Sequence, residues 1–145
     1  MITIQPMCPE HLDGMAELEQ MCFSMPWSRA MLADELFNEY AVYYVAESGE
    51  RVAGYIGAHM FLDEGHITNL AVSPDLRRQG IAGGLIDKLM RIAVKSEIKH
   101  MSLEVRESNA AAISLYLNKG FKVVGKRPGY YSGPKEDALL MTAEL

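Results

Sequence analysis

Residues 66–91, HITNLAVSPDLRRQGIAGGLIDKLMR, run from an apolar strand (Ile67 to Val72) through a Ser73-Pro74-Asp75 turn and a basic, glycine-rich passage (Arg77 to Gly84) into an amphipathic helix. That order describes an anion site. A helix that opens on glycines leaves its first amide N–H groups unpaired and facing outward, and the aligned peptide dipoles add partial positive charge at the same end. A phosphate or pyrophosphate fits such an opening. Spacing excludes two familiar phosphate loops. A Walker loop needs Lys and then Ser or Thr after its second glycine, and Gly80 has no such sequel; a dinucleotide fingerprint needs glycines where Ala82 and Leu85 stand.

Working outward toward the N-terminus, Val42 to Glu47, a Ser48-Gly49-Glu50 turn, Val52 to Phe61 and an Asp63-Glu64-Gly65 turn lead into the Ile67 strand with the intervals of an antiparallel meander. Ahead of them the pattern predicts a strand at Thr3 to Pro6 and a helix from Pro9 with Leu12, Met15, Leu18 and Cys22 on one side. A second helix, capped by Ser28 and running to about Asn38, has Met31, Leu32, Leu36 and Phe37 as its apolar stripe. Toward the C-terminus, Ile81, Leu85, Leu89 and Ile92 share one face of the helix after Gly80, and Met101 to Val105 alternates as a strand. A helix from about Asn109 stops at Gly120, and Phe121 to Gly125 and Ala138 to Thr142 read as closing strands around the loop Pro128 to Pro134. The order βααβββαβαββ is an α/β fold with a mixed, mostly antiparallel central sheet flanked by helices.

At 145 residues, about half of them apolar, the chain suits one domain spanning 1–145, with roughly 70% of its unfolded surface buried on folding. A formal net charge of −5 argues against a nucleic-acid binder and would favour approach of a basic peptide. Cys8 and Cys22 have neither the number nor the spacing of a metal site or disulfide framework, and read as buried free thiols in a reducing compartment. The chain starts on no basic-then-apolar leader and has no apolar run approaching membrane-spanning length, so a cytoplasmic protein without a membrane partner, monomeric or weakly self-associating, is expected.

The six residues Arg77-Arg78-Gln79-Gly80-Ile81-Ala82 resemble the R/Q-x-x-G-x-G/A signature of the GNAT acetyltransferases, and the element order is similar to that family's. In Met101-Ser102-Leu103-Glu104-Val105-Arg106 the apolar side chains share one face, which turns Glu104 to the other. Taken alone, Glu104 reads as a solvated strand residue and Tyr116 as a core aromatic with its hydroxyl at the rim. In the context Leu103-Glu104-Val105-Arg106-Glu107-Ser108-Asn109-Ala110-Ala111-Ala112-Ile113-Ser114-Leu115-Tyr116 and Gly120-Phe121, they resemble the RimI-like branch of the family, the ribosomal-protein-alanine N-acetyltransferases. Phe23-Ser24-Met25-Pro26-Trp27-Ser28, Asn69-Leu70-Ala71-Val72 and Tyr130-Tyr131 followed by Glu136-Asp137-Ala138 extend the resemblance over nearly the whole chain.

That resemblance implies transfer of acetyl from acetyl-coenzyme A to the N-terminal alanine of a small-subunit ribosomal protein, with no metal. It matches Glu104 to the general base and Tyr116 to the general acid. It matches Leu70, Ala71 and Val72 to the backbone that pairs with pantetheine, Arg78, Gln79, Gly80, Ile81, Ala82 and Gly83 to the pyrophosphate loop, and Asn109 to a further coenzyme A contact. Ala82 stands where many members carry glycine, and Asn109 also reads as a plain helix N-cap.

Elementary chemistry asks for the same pair. An ammonium cannot attack a thioester until a base takes its proton, and a departing thiolate benefits from a proton donor. Glu104 could act as that base directly or through water. Trp27, Tyr130 and Tyr131 are expected to shape the site for the first residues of a protein N-terminus, or else to cap the core edges. His11, His59, His66 and His100 show no ligand spacing and read as surface or edge residues, and the ten methionines read as core filler. Two rival functions stay open: a GNAT enzyme acting on broader N-termini or small-molecule amines, and a non-catalytic acyl-coenzyme A sensor.

Overall fold

A computed structural model describes residues 1–145. The chain runs β1 (Ile2–Pro6), a 3-10 turn at Pro9–His11, α1 (Leu12–Cys22), α2 (Arg29–Glu35), β2 (Ala41–Ser48), β3 (Arg51–Phe61) and β4 (Glu64–Val72). It continues through a second 3-10 turn at Pro74–Leu76, α3 (Ile81–Lys95), β5 (His100–Arg106), α4 (Ala110–Asn118), β6 (Lys122–Tyr131) and β7 (Glu136–Glu144). The element order is the one read from the sequence. One seven-stranded sheet takes them in the order β1-β2-β3-β4-β5-β7-β6. Every pairing is antiparallel except β4 with β5.

That exception makes the site. β4 and β5 pair only at Glu64 with His100, Gly65 with Met101 and His66 with Ser102. Beyond His66 the two strands separate. From Ile67 onward β4 keeps β3 on one side and has no strand on the other, so a slot with unpaired backbone groups along one wall opens through the middle of the sheet. A bulge marks the same place: Ala58 pairs with Ile67 and Gly57 with Asn69, which leaves Thr68 as the extra residue. Bulges bend a strand and re-aim its side chains. Here Thr68 and Asn69 both face the Tyr43 hydroxyl. Gly57 is required beside them, because a Cβ there would come within 2.2 Å of the Tyr43 ring.

Two cores cover the two faces. On one, α3 packs Ile81, Leu85, Ile86, Leu89 and Ala93 into a cluster that also takes Ile56, Ile67, Met101, Leu103, Val105, Tyr116 and Phe121. Each fully buried aliphatic side chain contributes roughly 1.5–3 kcal/mol relative to exposure. On the other, α1 and α2 lay Leu12, Met15, Leu18 and Leu32 over Tyr43, Val45, Tyr55 and Ala71.

Several expectations need correction. α2 stops at Glu35, short of Asn38, and of its expected stripe only Leu32 is fully buried; Met31 is exposed and Phe37 is 90% exposed. The short helix turns one side to Tyr43 and Val45, too narrow for four apolar positions. Of the methionines, Met15, Met101 and Met141 fill the core, but Met21, Met25 and Met31 stand in solvent at the α1–α2 end. The region 128–134 is mostly strand, since β6 continues to Tyr131. It tolerates Pro128 and Gly129 because the pairing slips between Arg127 and Tyr131, and the Gly129 N–H donates to the Asp137 carboxylate at 2.8 Å instead of to the ladder.

Candidate active site

One side of the slot is built from backbone. The Ala71 and Val72 side chains are buried and Leu70 packs against the α3 core, so this part of β4 offers its main chain to the gap. Its end is stapled in place: the Val72 carbonyl accepts from Arg77 Nε at 3.3 Å and from the Cys22 thiol at 3.5 Å. Both cysteines are free and half-buried.

Below the strand, Arg51 donates to Ser73 at 2.6 Å and to both Asp75 oxygens, at 2.6 and 2.9 Å, which holds the Asp75 carboxyl well below the usual carboxylate range. The chain then passes through left-handed backbone at Arg78 (φ 66°) and Gly80 (φ 78°). Gly80 starts α3 without any side-chain cap, and the first amide to close on its carbonyl is that of Gly84, at 2.9 Å. The N–H groups of Ile81, Ala82 and Gly83 precede that bond and face outward with the positive end of the helix dipole. Arg78 and Gln79 are exposed beside them. This cradle and the open edge of β4 fit the pyrophosphate and pantetheine of acetyl-coenzyme A. Asn109 caps α4 by accepting from the Ala112 N–H at 3.2 Å, and its exposed position leaves it free for a second contact.

The other side is built from side chains. Glu104 lies on the α1–α2 face of β5 with its side chain 9% exposed. It is therefore no solvated strand residue. Its Oε1 is 3.1 Å from His66 Nε2 and accepts the Tyr130 hydroxyl at 3.2 Å. Its Oε2 is buried without a hydrogen-bond partner, a condition few native polar atoms keep. Tyr130 lies where the β6 pairing slips; it is 51% exposed and turns its hydroxyl to Glu104. Burial, followed by the Glu104 charge and hydrogen bond, raises the Tyr130 phenol above its ordinary value. Tyr131 crosses Tyr130 edge-on at 5.0 Å and receives the Arg106 guanidinium on its ring at 4.5 Å. Arg106 in turn holds the carbonyls of Ser132 (3.0 Å) and Pro134 (2.9 Å) and the Glu136 carboxylate (3.1 Å), fixing the β6–β7 turn. Burial pushes the Tyr131 phenol up to about 12, with Tyr130 and Glu104 adding to the shift.

Tyr116 projects from α4 into the α3-side core, edge-on to Phe121 at 5.5 Å. Burial, with a smaller contribution from Tyr131, holds its phenol well above the ordinary value, so it keeps its proton at neutral pH. Glu104 and Tyr116 thus lie on opposite faces of the sheet, and the slot is the opening that both faces share. Trp27 divides from the two tyrosines. Its ring packs against the α1–α2 core, and its amide donates to Glu19 at 2.8 Å.

Several functional-looking residues escaped sequence reasoning. Glu19, 1% exposed, accepts the Tyr55 hydroxyl as well as the Trp27 amide. The chain of bonds continues from Asn69 Nδ2 to the Tyr55 oxygen (3.2 Å), from the Tyr43 hydroxyl to Asn69 Oδ1 (3.2 Å) and on to Thr68 (3.0 Å). It ties the Phe23 to Ser28 loop to the β4 bulge. His66, expected as an edge residue, sits on Glu104; His11, also expected at the surface, is buried against Glu47 at 3.0 Å. A histidine three residues before an Asn in a bulged strand carries no periodic signal. No group of His, Cys, Asp and Glu has the arrangement of a metal site.

A sheet split between β4 and β5, an anion cradle at the start of α3 and a buried carboxylate at the slot define an acyl-coenzyme A-dependent N-acyltransferase, and the Acetyltransferase (GNAT) family model matches residues 12–121. The chain belongs to the GNAT acetyltransferase family and is an acetyl-coenzyme A-dependent N-acetyltransferase. Within the family it is similar to the putative [ribosomal protein bS18]-alanine N-acetyltransferase of Bacillus subtilis (strain 168), 35% identical over 96% of this chain and 93% of that protein. It is also 34% identical to the [ribosomal protein bS18]-alanine N-acetyltransferase of Escherichia coli (strain K12), over 100% of this chain and 99% of that one. The crystal structure of the Escherichia coli ribosomal-protein-S18-alanine N-acetyltransferase superposes with a TM-score of 0.92 at 32% identity, covering 99% of this chain and 94% of the other. The NatC complex, solved with Gag peptide and CoA bound, superposes with a TM-score of 0.88 at 25% identity, covering 99% of this chain and 98% of that one.

Proposed function

We propose that this enzyme acetylates the α-amine of the N-terminal alanine of a small-subunit ribosomal protein, by direct transfer in a ternary complex with Glu104 as general base and Tyr116 as general acid. The observation that carries the reading is the buried, unpartnered Oε2 of Glu104 at the slot. An ammonium is the partner such an oxygen lacks. Acetyl-coenzyme A supplies an activated thioester. The amides of Ile81 to Gly83 hold its pyrophosphate, and the main chain from Leu70 to Val72 aligns its pantetheine. Glu104 takes a proton from the incoming amine, and Tyr116, kept protonated by burial, gives one to the departing sulfur. Glu104 is reached from the face where Tyr130, Tyr131 and the exposed Phe23 and Met25 form the walls of a peptide approach.

Magnitudes favour an α-amine over a lysine. Deprotonating an amine of pKa about 8 at pH 7 costs roughly 1.4 kcal/mol, against roughly 4.6 for a lysine of pKa about 10.4. A single carboxylate at the slot meets the smaller demand. The ribosomal substrate is supported by the names of the Bacillus subtilis and Escherichia coli relatives, which the chain matches over nearly its full length. Steady-state turnover on peptides that begin with Ala, Ser, Met or Lys, compared with polyamines, tests the reading. Alanine starts should show the highest kcat/KM; equal or better turnover of small amines would move the substrate to another class.

A further inference from the structure

We infer that His66 is the proton outlet of this site: it relays to solvent the proton that Glu104 takes from the amine. The inference rests on Glu104 being the base. Transfer forms an N–C bond and breaks a C–S bond, and the attacking ammonium gives up two protons in becoming an amide. One ends on the coenzyme A sulfur by way of Tyr116. The other must leave the protein once per turnover, or Glu104 stays protonated and cannot serve again. Glu104 has little solvent of its own to discharge it to: its side chain is 9% exposed, its Oε2 is buried, and its Oε1 has the Tyr130 hydroxyl and His66 against it. Of those two neighbours, Tyr130 is a phenol whose proton is held more tightly than usual.

His66 meets the carboxylate on one side and solvent on the other. Its Nε2 is 3.1 Å from the Glu104 oxygen, and its side chain is 43% exposed, so the imidazole touches the carboxylate and the solvent together. Imidazole is the side chain that ordinarily changes charge between pH 5 and 8. The position is set by backbone. His66 is the last residue of β4 that pairs with β5, opposite Ser102, directly before the strands separate. The groups that face it are Glu104 on β5, Tyr130 on β6 and, across the β3 ladder, His59, which is itself bound to Glu35 of α2 at 2.8 Å. Glu64 lies two residues back on the same side of its own strand. Only Glu104 is in ion-pair contact with His66.

The test compares His66→Ala and His66→Gln with the unaltered enzyme on an alanine-starting peptide, in weakly buffered solution, across pH 5.5 to 9 and with imidazole added. Glutamine keeps an N–H donor beside Glu104 but carries no proton, so a structural role would be preserved by it and a relay would not. Both variants should lose roughly tenfold or more in kcat, with KM for acetyl-coenzyme A and melting temperature retained and the acidic limb of the pH profile displaced. Free imidazole should restore His66→Ala and leave Glu104→Gln unrestored. Wild-type kcat in His66→Gln, or a loss in His66→Ala that imidazole does not relieve, would overturn the relay while leaving the base assignment intact. Full activity in Glu104→Gln would overturn the base assignment itself and the relay with it.

Discussion

The two faces of the sheet are built by opposite rules. On the α3 side nineteen buried residues make a core of aliphatic and aromatic side chains whose only hydroxyl is that of Tyr116. On the α1–α2 side the buried cluster is eight residues, and through it runs a chain of hydrogen bonds from the Trp27 amide by way of Glu19, Tyr55, Asn69 and Tyr43 to Thr68. The dry face stabilises by area removed from water, which tolerates small shifts. The wet face holds the Phe23 to Ser28 loop and the β4 bulge in fixed relation, because each buried polar group along that chain must keep its partner. The proposed base belongs to the wet face, while the proposed acid, Tyr116, is the one hydroxyl of the dry core.

The sharpest way to break that division is to exchange effects between faces. Glu104→Gln should lower kcat by roughly 10²–10⁴-fold with acetyl-coenzyme A affinity retained by calorimetry. Leu89→Ala, on the dry face, should cost about 2–5 kcal/mol in urea unfolding yet leave kcat per folded molecule unchanged. Equal activity in Glu104→Gln and wild type would put the chemistry elsewhere.

Glu19→Ala belongs to both categories. Leaving the Tyr55 hydroxyl and the Trp27 amide unpaired should destabilise by about 3 kcal/mol and also raise the peptide KM, since the loop loses its anchor. Combined with Tyr55→Phe the losses should fall short of additive, as a double-mutant cycle would show. A smaller effect is expected at the cradle. Gly80→Asp places a charge beside the phosphate and a Cβ on left-handed backbone, and should weaken acetyl-coenzyme A roughly tenfold.

The smallest effect is with pH. The Tyr131 phenol is raised to about 12 in the fold, above the roughly 10 of a free tyrosine. A raised value means the stabilisation is complete below pH 10 and is lost as pH climbs from 10 toward 12, with the buried Tyr43, Tyr55 and Tyr116 shifted in the same direction. Alkaline unfolding followed by tyrosinate absorbance should therefore begin above pH 10 and be milder in Tyr131→Phe.

The same contrast explains what could be read from residue order. α3, its glycine opening and the order of elements were legible because apolar spacing and left-handed turns leave local marks, as at Ile81, Leu85, Leu89 and Gly80. Glu104 and Tyr116 were singled out through family resemblance and not through periodicity, since a strand Glu and a helix Tyr are individually ordinary. The bulge at Thr68 was hidden, because one extra residue in a strand leaves no gap in the sequence. With it were hidden the shared facing of Thr68 and Asn69 and the link to Glu19, a residue that falls on the buried side of a helix where a charge is unexpected. His66 and Glu104 come together through a parallel pairing of three residues a strand, which no local pattern encodes. The Pro128 to Pro134 stretch read as loop because Pro and Gly usually break strands, and here a slipped register absorbs them.

One measurement bears most directly on direct transfer from the polar face to an α-amine. The enzyme is mixed with acetyl-coenzyme A alone and its intact mass recorded; a peptide with an N-terminal alanine and an internal lysine is then added, and the acetyl group is mapped by fragmentation. The enzyme mass should stay unchanged in the first step, and the peptide should gain one acetyl group on its α-nitrogen in the second. An acetyl adduct on Cys22, the thiol that reaches the end of β4, or modification confined to the lysine, would contradict it.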